Sequence, residues 1–92
     1  MTTEIIIYSK DYCPYCKHAK ALLTKKGVSF TEFDILDKEV LTREMIEKSG
    51  GRRTVPQIFI GGFHVGGASD LFELEEAGKL DELLKTVKTA AN

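Results

Sequence analysis

The sequence predicts an α/β domain: a four-stranded mixed sheet with helices on its faces, in the order β-α-β-α-β-β-α-α. Three observations carry that expectation. Short apolar runs near residues 3–9, 28–35 and 57–65 suit strands, and the segments between and after them repeat their apolar residues at helical spacing. The first two strand runs are separated by a helix-length segment, which makes them parallel through a right-handed crossover. The last run is broken only by a glycine pair, which makes it an antiparallel hairpin. At 92 residues, one apolar core can hold such a domain without cross-links.

Thr3–Ser9, with Ile5, Ile6 and Ile7 in succession, reads as a strand covered on both sides. Pro14 suits the first turn of a helix, where its missing N–H would have had no partner. Cys16, Ala19, Leu22 and Leu23 recur on one helical face, and Lys25 and Lys26 close that helix before Gly27. Val28–Ile35 is the second strand. A polar helix from Lys38 to Ser49 follows, with Val40, Leu41 and Met45 expected to point inward and Gly50-Gly51 to stop it. Gln57–Ile60 and Phe63–Val65 pair across Gly61-Gly62. Helices near Asp70–Ala77 and Leu80–Lys88, parted by Gly78, close a single domain spanning residues 1–92, with 89–92 expected to fray.

Composition narrows the function classes. The chain is 42% hydrophobic and 29% charged, with net charge −1, so neither a nucleic acid nor a membrane surface is an expected partner. Ile5–Tyr8 is far too short an apolar run to span a bilayer. "MTTEIII" carries an acid where a secretion signal would carry lysines, which points to the cytoplasm. Thiols stay reduced there, and a disulfide closing so small a ring would remove little chain entropy, so a structural staple is disfavoured.

The two cysteines, Cys13 and Cys16, fall where a strand runs into a helix. The first turn of a helix has unpartnered N–H groups and partial positive charge, which favour an anion. Such surroundings, with cations such as Lys10 and Lys17 nearby, lower cysteine pKa values from about 8.5 to roughly 3.5–7.5. Cys16, one turn further in, is expected to be more buried and lies near enough to form a disulfide. A drop from about 8.5 to about 4.5 raises thiolate at pH 7 about 30-fold and lowers nucleophilicity roughly 40- to 100-fold. Attack gains nothing, whereas departure improves. Cys13 is therefore read as the attacking and leaving sulfur, and Cys16 as the resolving one. A zinc site drawing on Cys13, Cys16, His18 and His64 lacks paired ligand knuckles, and two inert core cysteines are the bland alternative.

Cys-Pro-Tyr-Cys at 13–16, "TVPQ" at 54–57 and "GGASD" at 66–70 together make the chain resemble the glutaredoxins, specifically the small bacterial dithiol class, from about Glu4 to Leu84. The resemblance implies the thioredoxin fold and glutathione-dependent thiol–disulfide exchange on glutathionylated or disulfide-containing proteins. Glutathione is then a co-substrate and no cofactor or metal is bound. Glutathione reductase acts indirectly, and the chain is a monomer. Pro56 would be cis, and Val55 would pair with the cysteinyl backbone of glutathione like a short added strand.

Gly67, Ala68, Ser69 and Asp70 would hold the γ-glutamyl end, the N–H groups of Ala68 and Ser69 taking the carboxylate and Asp70 the ammonium. Ser69 also reads simply as a helix N-cap. Lys10 and Gln57 would meet the glycyl carboxylate, with Arg53 a further candidate, although Arg52 and Arg53 equally read as solvated loop charges. Tyr15 would flank the sulfur beside Thr54 and its neighbours, while Tyr12 packs. Ala68 stands where relatives often carry a third cysteine. Three rivals follow: a dimer holding a glutathione-ligated [2Fe–2S] cluster, a redoxin recharged by thioredoxin reductase, and an adaptor with idle cysteines.

Overall fold

The computed structural model describes residues 4–91, with side chains described through Lys85. The expected strand start at Thr3 and the end of the expected frayed tail, Asn92, lie outside the described residues. The elements are β1 (Ile5–Ser9), α1 (Pro14–Lys25), β2 (Thr31–Asp34), α2 (Glu39–Lys48), β3 (Gln57–Ile60), β4 (Phe63–Gly66), α3 (Ala68–Glu76) and α4 (Leu80–Ala91). The strands form one sheet in the order β2-β1-β3-β4. β1 runs parallel to β2, pairing Ile6 with Thr31, and antiparallel to β3, pairing Ile7 with Ile58. β4 returns antiparallel beside β3. This is the thioredoxin fold that the motifs implied.

β1 is central, so both of its faces are covered, as three consecutive isoleucines require. Ile5 and Ile7, with Ile58 and Ile60, pack against Ala19, Leu22 and Leu23 of α1, Leu71 of α3, and Leu80 and Leu84 of α4. On the other face Tyr8 and Phe59 meet Ile35 and Met45, with Leu41 and Ile46 of α2 alongside. The Tyr8 ring sits 5.5 Å from that of Phe33 and 5.9 Å, edge-on, from that of Phe59. Its hydroxyl donates to Glu44. Burial, then the Glu44 bond, raises the Tyr8 pKa, so the phenol stays a donor.

The hairpin turn has φ of +57° at Gly61 and +88° at Gly62. Two consecutive left-handed residues give a turn whose twist matches that of the strands, and glycine adopts them at little cost.

Three expectations need correction. The second strand is shorter than Val28–Ile35, because only Thr31–Asp34 pair with β1 while the Val28 N–H closes the end of α1 on the Leu23 carbonyl. Val40 is 76% exposed rather than inward, since it lies about 100° around the helix from Leu41, which takes the core face with Met45. Tyr12 is 65% exposed rather than packed, because it sits in the turn ahead of α1 and not on an element with a buried face. No helix among the described residues is long and apolar enough to cross a membrane.

Candidate active site

β1 delivers the cysteine turn from the middle of the sheet. Ser9, the last strand residue, is fully buried and donates its hydroxyl to Glu32 at 2.5 Å. Lys20 of α1 reaches the same carboxylate at 2.8 Å, tying both strand ends to the helix. Although burial opposes ionisation of Glu32, the Lys20 and Ser9 hydrogen bonds hold its pKa below the ordinary value. The chain then turns, the Cys13 N–H donating to the Lys10 carbonyl at 3.0 Å.

Cys13 is the N-cap of α1, with Pro14 at the first helical position. Its Sγ accepts the Cys16 N–H at 3.3 Å, so the sulfur fills the capping role usually given to a serine or aspartate oxygen. The same Sγ lies 3.9 Å from the Val55 carbonyl. Both cysteines are free thiols. Cys13 is 8% exposed and Cys16 1%. Burial, followed by hydrogen bonding to Cys13, pushes the Cys16 thiol up to about 12. One sulfur therefore caps the helix in an amide's grip with slight exposure, and the other is a fully buried, protonated neighbour three residues on.

Beside Cys13 opens a cleft of about 360 Å³. Tyr15 stands on one side, Thr54, Val55 and Pro56 on a second, and Gly67, Ala68 and Ser69 on a third, with Arg52 at the edge. The Val55–Pro56 peptide is cis. At the start of α3 the Asp70 carboxylate accepts the Gly67 N–H at 2.8 Å and lies 3.5 Å from the Arg52 guanidinium. Gly67, not Ser69, is the N-cap, and Ser69 sits inside the first turn. Gly66 has a φ of +114°, and a Cβ there would lie 2.8 Å from the Asp70 Cγ and closer still to Oδ2. Glycine alone fits.

The loop carrying Val55 is braced from beneath. Gln57 is fully buried and donates its amide to the Thr54 carbonyl at 3.0 Å and to the Thr54 hydroxyl at 3.1 Å. With both donors so used, its carbonyl accepts from His64 Nε2 at 2.7 Å, which makes that ring nitrogen the protonated one. Burial, then the Arg52 charge, lowers the His64 pKa and keeps the ring neutral. Its ring stacks on that of Phe59 at 4.8 Å.

Seven of the residues singled out in the sequence meet around the cleft: Tyr15, Thr54, Val55, Pro56, Gly67, Ala68 and Ser69. Asp70 joins through Gly67 and Arg52. Lys10, Arg53 and Gln57 are not among the lining residues, and Gln57 supports the cleft through Thr54. The residue that sequence reasoning passed over is Arg52. Nothing in the sequence separated it from Arg53, since the loop that carries both is irregular. Among the described residues no group of three or more His, Cys, Asp or Glu side chains is placed to hold a metal ion. His64 serves Gln57, and His18 is exposed.

The family model described as Glutaredoxin matches residues 5–65. Glutaredoxin 3 of Escherichia coli K12 is 56% identical over 82 residues, covering 89% of this chain and 98% of that protein. Glutaredoxin 1 of Rickettsia typhi is 54% identical over 83 residues, covering 89% and 80%. Among solved structures, a buckwheat glutaredoxin–glutathione complex superposes with a TM-score of 0.83 at 30% identity, over 94% of this chain and 80% of that one. The solution structure of a Brucella melitensis glutaredoxin gives 0.79 at 56% identity, over 91% and 90%. Two thiols of unlike burial at a helix start, on this fold and with these relatives, make the chain a thiol–disulfide oxidoreductase that belongs to the glutaredoxin family.

Proposed function

We propose that the protein reduces protein–glutathione mixed disulfides and protein disulfides at the expense of glutathione, in the cytoplasm and as a monomer. The observation that carries this reading is the Cys16 N–H on the Cys13 sulfur, at the mouth of a cleft whose walls offer backbone groups and charges to a small peptide. The Cys13 sulfur takes on negative charge as it departs from a mixed disulfide, and an amide N–H already aimed at it favours that departure.

In the first step the Cys13 thiolate attacks the glutathionyl sulfur of a mixed disulfide. A new S–S bond forms on Cys13, the old one breaks, and the substrate sulfur departs as a thiolate. A second glutathione thiolate then attacks the adduct, Cys13 leaves, and oxidised glutathione is released. With a protein disulfide, the Cys16 sulfur displaces the substrate from Cys13, giving a Cys13–Cys16 disulfide that two glutathiones reduce. Glutathione reductase restores the pool with NADPH.

Geometry supports assigning the bound glutathione as follows. Its cysteinyl backbone pairs with Val55 beside Pro56, and Tyr15 covers its sulfur. The first-turn N–H groups of Ala68 and Ser69, after Gly67, take its α-carboxylate, since these amides have no partner inside α3. Asp70 takes its ammonium in exchange for Arg52. Thr54, held by Gln57, shapes the wall. The assignment of Lys10 and Arg53 to the glycyl carboxylate rests on the family resemblance alone, since neither lines the cleft. That glutathione has been seen on a buckwheat glutaredoxin of the same fold is consistent with the assignment.

Steady-state turnover of a small glutathionylated disulfide, with glutathione and its reductase, tests the reading. Cys16→Ser is expected to retain this reaction and to lose reduction of protein disulfides, whereas Cys13→Ser loses both. Full activity in Cys13→Ser would end the assignment, as would turnover only when thioredoxin reductase replaces glutathione and its reductase.

A further inference from the structure

Beyond the cleft, a second depression of about 370 Å³ runs between α1 and α3. It shares Tyr15, Ala68 and Ser69 with the first, so the two are one continuous trough divided at the Tyr15 ring. Its floor is apolar: Tyr15 is 65% exposed and Phe72 37%, large rings left uncovered. Its far wall is acidic, formed by Glu73 and Glu76. Among the described residues neither carboxylate has an ion-pair partner, in contrast to Glu75 on the same helix, which Lys26 holds at 2.7 Å. Arg52 of the near cleft is paired with Asp70 at 3.5 Å, whereas the far depression holds Glu73 and Glu76 beside His18, so the uncompensated negative charge of the trough lies in its far half.

Any disulfide that Cys13 attacks has two halves, and both must lie close to Cys13 at once. With the near cleft filled by the glutathionyl half, the other half extends over Tyr15 into the acidic depression. We propose that this depression is the docking groove for the polypeptide half of the substrate, and that it selects segments carrying a lysine or arginine close to the modified cysteine. The apolar stem of such a side chain lies on Phe72 and Tyr15 while its charge meets Glu73 and Glu76. This rests on the glutathione-dependent reading above, and the following test separates the two.

Two peptides are prepared, alike except for Arg or Glu two residues from a glutathionylated cysteine, together with a small glutathionyl disulfide that has no peptide. At low ionic strength wild type is expected to turn over the Arg peptide about 3- to 10-fold more efficiently (kcat/KM) than the Glu peptide, the scale of one or two exposed charge pairs. The preference shrinks as salt shortens the screening length from about 30 Å at 0.01 M to about 8 Å at 0.15 M. Glu73→Gln/Glu76→Gln abolishes the preference and leaves turnover of the small disulfide unchanged.

Equal turnover of both peptides by wild type, or a preference that survives in the double variant, overturns the docking groove while leaving the activity intact. Loss of turnover for the small disulfide in wild type overturns the activity instead. Docking is then read without turnover, from amide resonances on adding the unmodified Arg peptide. Shifts centred on Tyr15, Phe72, Glu73 and Glu76 support the groove, and their absence overturns it.

Discussion

Replacing Gly66 by alanine tests how tightly the start of α3 is built. Two effects add. The backbone there has a φ of +114°, a conformation that costs a residue with a Cβ about 1–3 kcal/mol. The new methyl also falls on the Asp70 carboxylate, which must swing away and release the Gly67 N–H that it now accepts at 2.8 Å. A hydrogen bond to a charged group is worth about 1.5–3 kcal/mol. Gly66→Ala should therefore lower unfolding stability by about 2.5–6 kcal/mol. Asp70→Ala alone removes only the second effect, about 1.5–3 kcal/mol. In the double variant the methyl meets no carboxylate and the bond is already gone, so the total falls short of the sum of the singles by about 1.5–3 kcal/mol. Urea unfolding of the four proteins, read by far-UV circular dichroism, gives each value. Additivity within about 0.5 kcal/mol would show that the two side chains do not collide, and the reasoning would fail.

Two further outcomes are expected. With its thiol raised from 9.0 to about 12, Cys16 should keep the Cβ chemical shift of a protonated thiol up to pH 10 in the reduced protein, and a midpoint at or below 9 contradicts this. The folded protein then holds this proton more tightly than the unfolded chain, so unfolding stability should decline as pH rises from about 9 toward 12, by up to about 1.4 kcal/mol per pH unit. Gln57→Leu releases the exposed Thr54, whose two acceptors turn to water, and leaves the half-buried His64 donor without its partner, costing about 1–3 kcal/mol. Because the loosened loop is the one beside Cys13, KM for glutathione should rise more than kcat falls, and an unchanged KM would deny Gln57 its bracing role.

Much of the fold was legible because its signals are local. Three isoleucines in a row announce a strand covered on both sides, and a glycine pair announces the hairpin. Val40 misled because a polar helix leaves little to choose between adjacent apolar residues, and only the position of Tyr8 and Phe59 decides that Leu41 faces in. The strand after α1 was drawn too long because Val28 and Phe30 are half-buried against the core without joining the ladder. In the site, the cysteine pair and the glycine-rich turn were readable from chemistry and spacing. The support beneath them was not. Gln57 looked like a ligand-binding amide, yet its role depends on His64 seven residues away across a hairpin, a contact that only pairing of β3 with β4 creates. Arg52 was indistinguishable from Arg53 until the structure put Arg52 against Asp70 and the cleft.

The unequal burial of the two sulfurs also governs oxidative damage. A hydroperoxide approaching the surface meets Cys13 first, because Cys16 lies on the buried face of α1 at 1% exposure against 8% for Cys13. A sulfenic acid formed at Cys13 would have the Cys16 thiol three residues away, and condensation of the two to a disulfide, with loss of water, would keep the sulfur from the irreversible sulfinic state. The inner cysteine thus acts as a safety catch for the outer one, returning it to a form that ordinary reductants can recover.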